Sequence, residues 1–290
     1  WSTQFNFDII YLQDNLSMIW DAIFELESDL ANATSCQLGR YAYCAGADLS
    51  YMDLSGMDLT GIDLRGANLQ NTTFDYATLD GADLRSIVAT NASFVHTGMN
   101  ETYLQRAEFN TYDWNCGYCS EANLTEAYLA HADLTGANLE GTDLTNADLR
   151  YTDLTNAYLD NANLTDANLG HACLTDAYLR YANLTNTNLE YTDLTNADLR
   201  YTDLTNADLM TADLTNAKLL MANLYNADLW NADLIDADLR YAVLTYTDLR
   251  YADLTNANFE YAIVTNSYFT ATVWSNTIWT DGVAYDTNQA

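Results

Sequence analysis

The side chains best suited to acid–base or metal chemistry are three histidines, His96, His131 and His171, and a large excess of carboxylates. If one turn of a stacked β-coil takes 20 residues, His131 and His171 are two turns apart, which is roughly 10 Å. That separation is too long for both imidazoles to bind one metal ion directly. The sequence also contains no P-loop, dinucleotide fingerprint or nucleophile elbow. It therefore predicts a protein that is not an enzyme, with no catalytic, cofactor-binding or metal-binding residues.

The five cysteines are typical of a secreted protein with one or two disulfides and one thiol left over. Cys36 and Cys44 flank the start of the repeats, and we predict a disulfide between them. Cys116 and Cys119 form a single Cys-x-x-Cys, which is weak support for zinc without a second pair. We interpret these two as a local disulfide in a stretch where the repeat composition is disturbed. Cys173 stands alone.

Charge excludes several classes of partner. Ten Lys and Arg residues face 41 Asp and Glu residues, so the net charge is -31. Binding to nucleic acid or to an anionic membrane needs clustered cations, which this chain lacks. No run of 18 apolar residues is present, so no insertion into a membrane is predicted. The hydrophobic fraction of 49% argues against an acidic disordered chain.

A repeat of five residues organises most of the chain. The nonapeptide Tyr191–Leu199 recurs letter for letter as Tyr201–Leu209, and Leu occupies every fifth position from Leu124 to Leu254. A small residue, usually Ala or Thr, lies two positions before each Leu. The frame extends from Cys44 to Trp279 without an insertion or deletion. A period of five fits neither an α-helix nor a simple strand, but it suits a coil with a corner every five residues.

This A(D/N)LXX motif resembles the pentapeptide-repeat family over about four-fifths of the chain. The resemblance implies an all-β solenoid: a right-handed quadrilateral β-helix of about 12 coils, with four pentads per turn and an N-terminal helical cap over the first coil. The large and small residues of each pentad would face inward. The predicted segments are an extended N-terminal segment (1–12), a helical cap (13–38), the β-helix (39–281) and a C-terminal tail (282–290).

Both ends of the predicted rod carry apolar segments. Residues 14–30 have the periodicity of an amphipathic helix, and alternating apolar residues before them predict a short strand. The C-terminal coils are rich in aromatic residues with no evident cap, so we expect Trp274 and Trp279 to be exposed. The predicted end contacts are Phe5, Phe7, Ile9, Tyr11, Trp274 and Trp279.

Residues 20 apart should stack on one face of such a coil. Two opposite faces carry Thr followed by Asn, and Asn tolerates the conformation of a corner. The other two faces carry tyrosines, which either stack within the rod or form a contact surface. The predicted interaction residues are Tyr151, Tyr191 and Tyr251, in one column with His131 and His171, and Tyr181, Tyr201, Tyr241 and Tyr261, beside Arg180, Arg200 and Arg240.

Much of the acidity lies in columns of Asp. One column contains Asp133, Asp153, Cys173, Asp193, Asp213, Asp233 and Asp253. Two unit charges one coil apart repel by roughly 0.9 kcal/mol in water. Backbone donors, cations or raised pKa values must relieve that repulsion. Ca²⁺ on these carboxylates is one solution, but hydrogen bonding of each Asp to its own turn is the favoured one.

The leading functional hypothesis is a secreted, extracellular protein that assembles with itself as a filament, sheath or surface-layer subunit. The chain begins at Trp1 without a basic or apolar leader, as in a mature chain after removal of a signal peptide. An N-terminal strand and an uncovered C-terminal edge predict head-to-tail contact between copies. The resemblance implies two alternatives: an acidic DNA mimic that binds DNA gyrase, and a lumenal or periplasmic scaffold for protein interactions. The uninterrupted frame argues against the first, because such DNA mimics carry inserted loops. An ice-binding Thr face ranks last.

Overall fold

A computed structural model describes residues 36–109 and 122–285. Its backbone forms parallel β-bridges between residues 20 apart, and each pentad contributes one bridge. Asp153 pairs with Cys173, for example, and Cys173 pairs in turn with Asp193. Four bridges therefore complete one turn, and the chain winds as a four-sided β-helix, as the resemblance to pentapeptide repeats implies.

Two sets of backbone hydrogen bonds hold each pentad. The Leu154 N–H donates to the Cys173 carbonyl in the next coil at 2.7 Å, and the Ala157 N–H donates to the Leu154 carbonyl across the corner at 3.0 Å. The corner residue between them, Asn156, has a φ of 58°. This left-handed conformation suits Asn and Gly better than other residues. Corner chemistry therefore accounts for the Asn columns.

The interior is a stack of the inward residues of each pentad. Leu199 is 1% exposed, and Leu179 and Leu219, one coil away on either side, are equally buried. Ala fills most of the small positions, and Thr fills most of the others. Where Thr replaces Ala, its hydroxyl donates to a core carbonyl, as Thr202 does to Leu199 at 2.7 Å. The core therefore leaves those buried hydroxyls satisfied.

The ladder changes its offset in the middle of the chain. Up to Val88, whose partner is Glu108, bridges join residues 20 apart, but Ser93 pairs with Asn123, 30 residues away. Phe109 and Ala122 then occupy consecutive places, and the Ala122 N–H donates to the Phe109 carbonyl at 3.3 Å. The five-residue phase is the same on both sides of this change, but the bridge ladder is interrupted, so the prediction of a coil without an interruption is wrong. The estimate of about 12 coils, which assumed it, does not carry over.

The C-terminal end is closed by aromatic side chains and a short hairpin. Strand β1 (Thr277–Ile278) pairs antiparallel with strand β2 (Ala284–Tyr285). Trp274 is only 6% exposed, and Trp279 packs partly buried against the core. The two indole rings lie 4.8 Å apart and also contact Phe269. The expectation that both tryptophans are exposed is wrong, because the last coil turns them inward as its own plug.

The N-terminal expectations fall mostly outside the described residues. These are the strand with Phe5, Phe7, Ile9 and Tyr11, and the helix over 14–30. From residue 36 onward, the chain joins the first coil through the disulfide between Cys36 and Cys44, whose Cα atoms are 5.1 Å apart. Within 36–109 and 122–285, no helix has the length and apolar character needed to cross a membrane.

Candidate functional site

The first aromatic column is a continuous stack, called here the His/Tyr column: His131, Tyr151, His171 and Tyr191. Successive ring centroids are 4.8–4.9 Å apart, and the ring planes are within 3° of parallel. Each residue sits at a corner with positive φ, for example 59° at Tyr151. The stack thus places an aromatic ring between the two histidines and separates their imidazoles by two coils. Tyr251, further along, meets Trp230 edge to face instead.

The second aromatic surface, called here the Tyr/Arg face, combines stacked tyrosines with arginines. Tyr181 stacks on Tyr201 at 4.8 Å, and Tyr241 stacks on Tyr261 at 4.9 Å. The exposed fractions of these tyrosines range from 41% to 59%. The two readings of the tyrosines are therefore compatible: the rings stack along the rod, and their edges still face solvent. The face also contains Tyr158, Tyr178, Arg180, Arg200, Lys218, Met221 and Arg240.

The arginines of this face are tied to neighbouring carboxylates. Arg200 donates two hydrogen bonds to the carboxylate of Asp198, one of 2.7 Å from Nε and one of 2.6 Å from Nη2. Partial burial alone would raise the pKa of Asp198, but the hydrogen bond and charge of Arg200 outweigh it and hold that pKa below its usual range. Arg240 pairs with Asp238 in the same way, at 2.7 Å. The guanidinium groups are therefore fixed against the surface.

The Asp column lies on a face called here the Asp face. Its carboxylates bond mainly to their own turns: Asp133 accepts the backbone N–H of Thr135 at 3.1 Å and its hydroxyl at 2.7 Å. Asp233 is an exception, because Ile235 follows it where the other turns have Thr or Ser. Desolvation, followed by the charges of Asp213 and Asp253, raises the pKa of Asp233.

Ca²⁺ binding has no geometric support on this column. Within the two described stretches, no group of three or more His, Cys, Asp or Glu side chains converges in a way that could hold a metal ion. Local hydrogen bonds take up much of the charge of the carboxylates instead.

Three of the five cysteines lie within the described residues. The disulfide joins Cys36 and Cys44, the pair that the sequence predicts. Cys116 and Cys119 lie outside the described residues. Cys173 is a free thiol in the Asp column, with the hydroxyl oxygens of Thr155 and Thr175 both 3.3 Å from its sulfur.

Charge is unevenly distributed over the faces of the coil after residue 122. On the Asp face the acidic residues are Asp133, Asp153, Asp176, Asp193, Asp213, Asp233, Asp236 and Asp253, and no Lys or Arg accompanies them. On the Tyr/Arg face the acidic residues are Glu140, Asp160, Asp198, Asp238 and Glu260, and the basic ones are Arg180, Arg200, Lys218 and Arg240. The Tyr/Arg face is therefore close to neutral on a strongly acidic protein.

Lys218, which the sequence analysis did not single out, borders an open groove of about 460 Å³ at one edge of the Tyr/Arg face. Lys218 is the one Lys of the chain, so its presence in the sequence marks this position as unusual. Asp176, Tyr178 and Asp198 line the same groove. The groove is shallow and polar, unlike the enclosed apolar pockets that bind most small ligands.

Comparison with known proteins agrees with this architecture. The family model "Pentapeptide repeats" matches eight times, over residues 42–75, 67–106, 122–161, 142–180, 177–216, 192–231, 222–260 and 232–270. The gap between the second and third matches coincides with the change of ladder offset. A comparison with curated protein sequences gives no significant match.

Several solved structures are similar to this chain. HetL, a pentapeptide repeat protein involved in heterocyst differentiation regulation from the cyanobacterium Nostoc sp. strain PCC 7120, is 31% identical; the match covers 82% of this chain and 93% of HetL, with a TM-score of 0.31. A pentapeptide repeat protein from the Arabidopsis thaliana thylakoid lumen is 31% identical over 36% of this chain and 69% of its own, with a TM-score of 0.24. QnrB1, a plasmid-mediated fluoroquinolone resistance protein, is 18% identical over 78% and 92%, with a TM-score of 0.34. Because the family model matches its repeats over more than half of its length, the chain belongs to the pentapeptide-repeat family.

Proposed function

We propose that the protein is a non-enzymatic structural rod that assembles with copies of itself, side by side, through the Tyr/Arg face. The observation that carries this proposal is the column of half-exposed tyrosines on the Tyr/Arg face, which has a much smaller net charge than the Asp face. A protein with a net charge of -31 repels its own copies. Two rods meet at the lowest electrostatic cost where acidic and basic side chains nearly balance.

The composition of this face supports a protein contact. Tyr and Arg are enriched where protein interfaces have their strongest contacts, because a rigid ring buries a large area at small entropic cost. Stacking favours one arrangement of the tyrosine rings, as at Tyr181 and Tyr201. Because a Tyr side chain also has few rotatable bonds, a partner that covers the ring edges costs little side-chain entropy.

The buried tryptophans change the proposed geometry of assembly. Head-to-tail growth needed an uncovered C-terminal edge, and β2 and the Trp274–Trp279 cluster cover part of it. Lateral contact does not depend on that edge. The Cys36–Cys44 disulfide supports a location outside the reducing cytosol, and we propose a secreted or extracellular protein, with the periplasm or an organelle lumen as the alternative.

Sedimentation velocity over a range of protein concentrations tests the proposal. The wild-type rod is expected to associate, and a Tyr181→Ser/Tyr241→Ser variant to associate at least about tenfold more weakly. The matched control is Tyr151→Ser/Tyr191→Ser, which removes two rings from equivalent corners of the His/Tyr column and should leave association unchanged. A wild-type protein that stays monomeric at high concentration contradicts the proposal. An equal weakening of association in both double variants contradicts it too.

The Asp face favours a second candidate, an acidic surface that takes the place of DNA on a cationic protein such as DNA gyrase. Its acidic residues recur coil after coil without a basic neighbour. The offset change after Phe109 also removes the objection that the frame is uninterrupted. An Asp193→Asn/Asp213→Asn variant should then lose gyrase binding, whereas Asp143→Asn/Asp203→Asn on the opposite face should retain it. Absence of salt-sensitive binding by the wild type rejects this candidate.

A further inference from the structure

Three tyrosine pairs stack face to face between successive coils of the Tyr/Arg face. The rings of Tyr158 and Tyr178 are 5.1 Å apart and within 4° of parallel, and those of Tyr181 and Tyr201 are 4.8 Å apart and within 6° of parallel. The third pair, Tyr241 and Tyr261, is tilted by 29°. On the His/Tyr column, by contrast, each Tyr has His neighbours, so that Tyr151 and Tyr191 never meet.

Tyr181 and Tyr201 combine proximity with access. Their exposed fractions are 59% and 41%, so an oxidant in solution reaches both phenols. The backbone holds them on adjacent coils, because the Tyr181 N–H donates to the Arg200 carbonyl at 3.2 Å. Half-exposed side chains change rotamer within nanoseconds, so the two rings can turn from face-to-face to edge-to-edge without opening the coil.

The tilted pair is less suited to oxidation. Glu260 lies beside the Tyr261 phenol, and its charge and hydrogen bond raise the pKa of that phenol. A phenol that holds its proton more tightly has a smaller phenolate fraction and loses an electron less readily. Tyr181 and Tyr201 follow Arg180 and Arg200 in the sequence, where Tyr261 follows Glu260.

We propose that Tyr181 and Tyr201 form an intramolecular dityrosine cross-link when the protein meets a haem peroxidase and hydrogen peroxide. Each phenol loses one electron and one proton to become a tyrosyl radical. The two radicals couple through the ring carbons ortho to oxygen, forming one carbon–carbon bond, and each ring hydrogen then shifts to its oxygen. The protein loses two hydrogen atoms in total, and one hydrogen peroxide is reduced to two waters.

The coupling is favoured because both radicals belong to one folded chain. A pair held on neighbouring coils reacts at an effective concentration far above that of two colliding molecules. The product covalently joins two coils that otherwise share only non-covalent contacts. Since both rings come from one rod, the coupling does not require lateral association of rods.

Peptide mapping after peroxidase treatment of the full chain tests the cross-link. Trypsin cleaves after Arg180, Arg200 and Lys218, so Tyr181 and Tyr201 begin consecutive peptides, 181–200 and 201–218. We expect these two peptides to be joined, with a mass lower than their sum by two hydrogen atoms. On a denaturing gel, dityrosine fluorescence should appear in the band of the monomer. Tyr201→Phe preserves the stack but removes the phenol, and it should abolish the joined species.

The matched control is Tyr191→Phe, which changes the other tyrosine of peptide 181–200 at an equivalent corner. It should leave the yield of the joined peptide unchanged. Three results overturn the proposal: no joined peptide after peroxide has been consumed, a joined peptide lost as fully in Tyr191→Phe as in Tyr201→Phe, or a joined peptide found only in the covalent dimer band. The last result assigns the coupling to contact between rods.

Discussion

Replacement of Leu199 by Ala tests whether the inward Leu column determines stability. The side chain is 1% exposed, and Leu179 and Leu219 lie in the same column one coil away on either side. Ladder hydrogen bonds of 2.8 Å, from Leu179 to Asp198 and from Leu199 to Lys218, fix the spacing of the three coils. The coils therefore cannot close around the cavity that Ala leaves. We expect a loss in the upper part of the usual Leu→Ala range, about 3–5 kcal/mol of unfolding free energy.

Leu220→Ala is the matched control. This Leu lies outside the inward frame, on the Tyr/Arg face, and is only partly buried. Its replacement should cost less than about 1 kcal/mol. Leu199→Asp adds an unpaired buried charge to the loss of volume, so it should be more damaging than Leu199→Ala.

Denaturant unfolding followed by circular dichroism and by tryptophan fluorescence gives the comparison. Two probes are needed, because coils of a repeat protein can melt separately and break the two-state assumption. Equal destabilisation by Leu199→Ala and Leu220→Ala would refute the assigned inward phase. So would a loss below about 1 kcal/mol for Leu199→Ala.

Three further changes test the disulfide, the acidic column and the Asn ladder. Cys44→Ser should cost about 2–3 kcal/mol, and hydrogen exchange should rise near Leu49 but not near Leu199. Asp233→Asn should stabilise the rod at pH 7 by a few tenths of a kcal/mol (about the size of an exposed charge interaction). Asp253→Asn should not, because it replaces the carboxylate that accepts the Thr255 turn bonds by an amide oxygen, which accepts them more weakly. Because the pKa of Asp233 is raised in the folded state, its carboxylate is protonated at a higher pH in the native protein than in the unfolded chain. In thermal melts, the extra stability of Asp233→Asn over the wild type should therefore shrink as the pH falls towards the unfolded-state pKa of about 4. Asn206 bonds to Asn186 and Asn226 at 3.0 Å with φ near 58°, so Asn206→Ala should destabilise by about 1 kcal/mol and Asn206→Gly by less.

The sequence predicts the coil well because one short rule is repeated along it. Leu at every fifth position sets the inward phase, and the 20-residue spacing correctly aligns the Tyr and Asp columns after residue 122. The 20-residue turn, which the family resemblance implies, places His131 and Tyr151 in one column, and the structure shows that their rings stack. These predictions succeed because each pentad packs only against its neighbours, so local spacing decides the contacts.

The change of bridge offset from 20 to 30 residues could not be predicted from the five-residue spacing, for a physical reason. Ten residues are two whole pentads, so Phe109 and Leu124 both keep the inward phase although the ladder skips between them. Only composition carries a signal there, since Ala89, Met99 and Cys119 take positions where Leu is usual. The buried Trp274 was missed because no repeat follows it; only the packing of the last coil shows which way an end residue turns.

The ladder also determines how the rod would respond to a pulling force. Each coil is bonded to the next by hydrogen bonds that lie along the rod axis, for example from Leu154 to Cys173. Tension applied to the chain ends therefore loads one terminal coil at a time and peels it away while the remaining coils stay wound. Each coil of 20 residues would release roughly 70 Å of extended chain. The rod would lengthen in nearly equal steps and dissipate work at each one, with a longer step where the offset is 30.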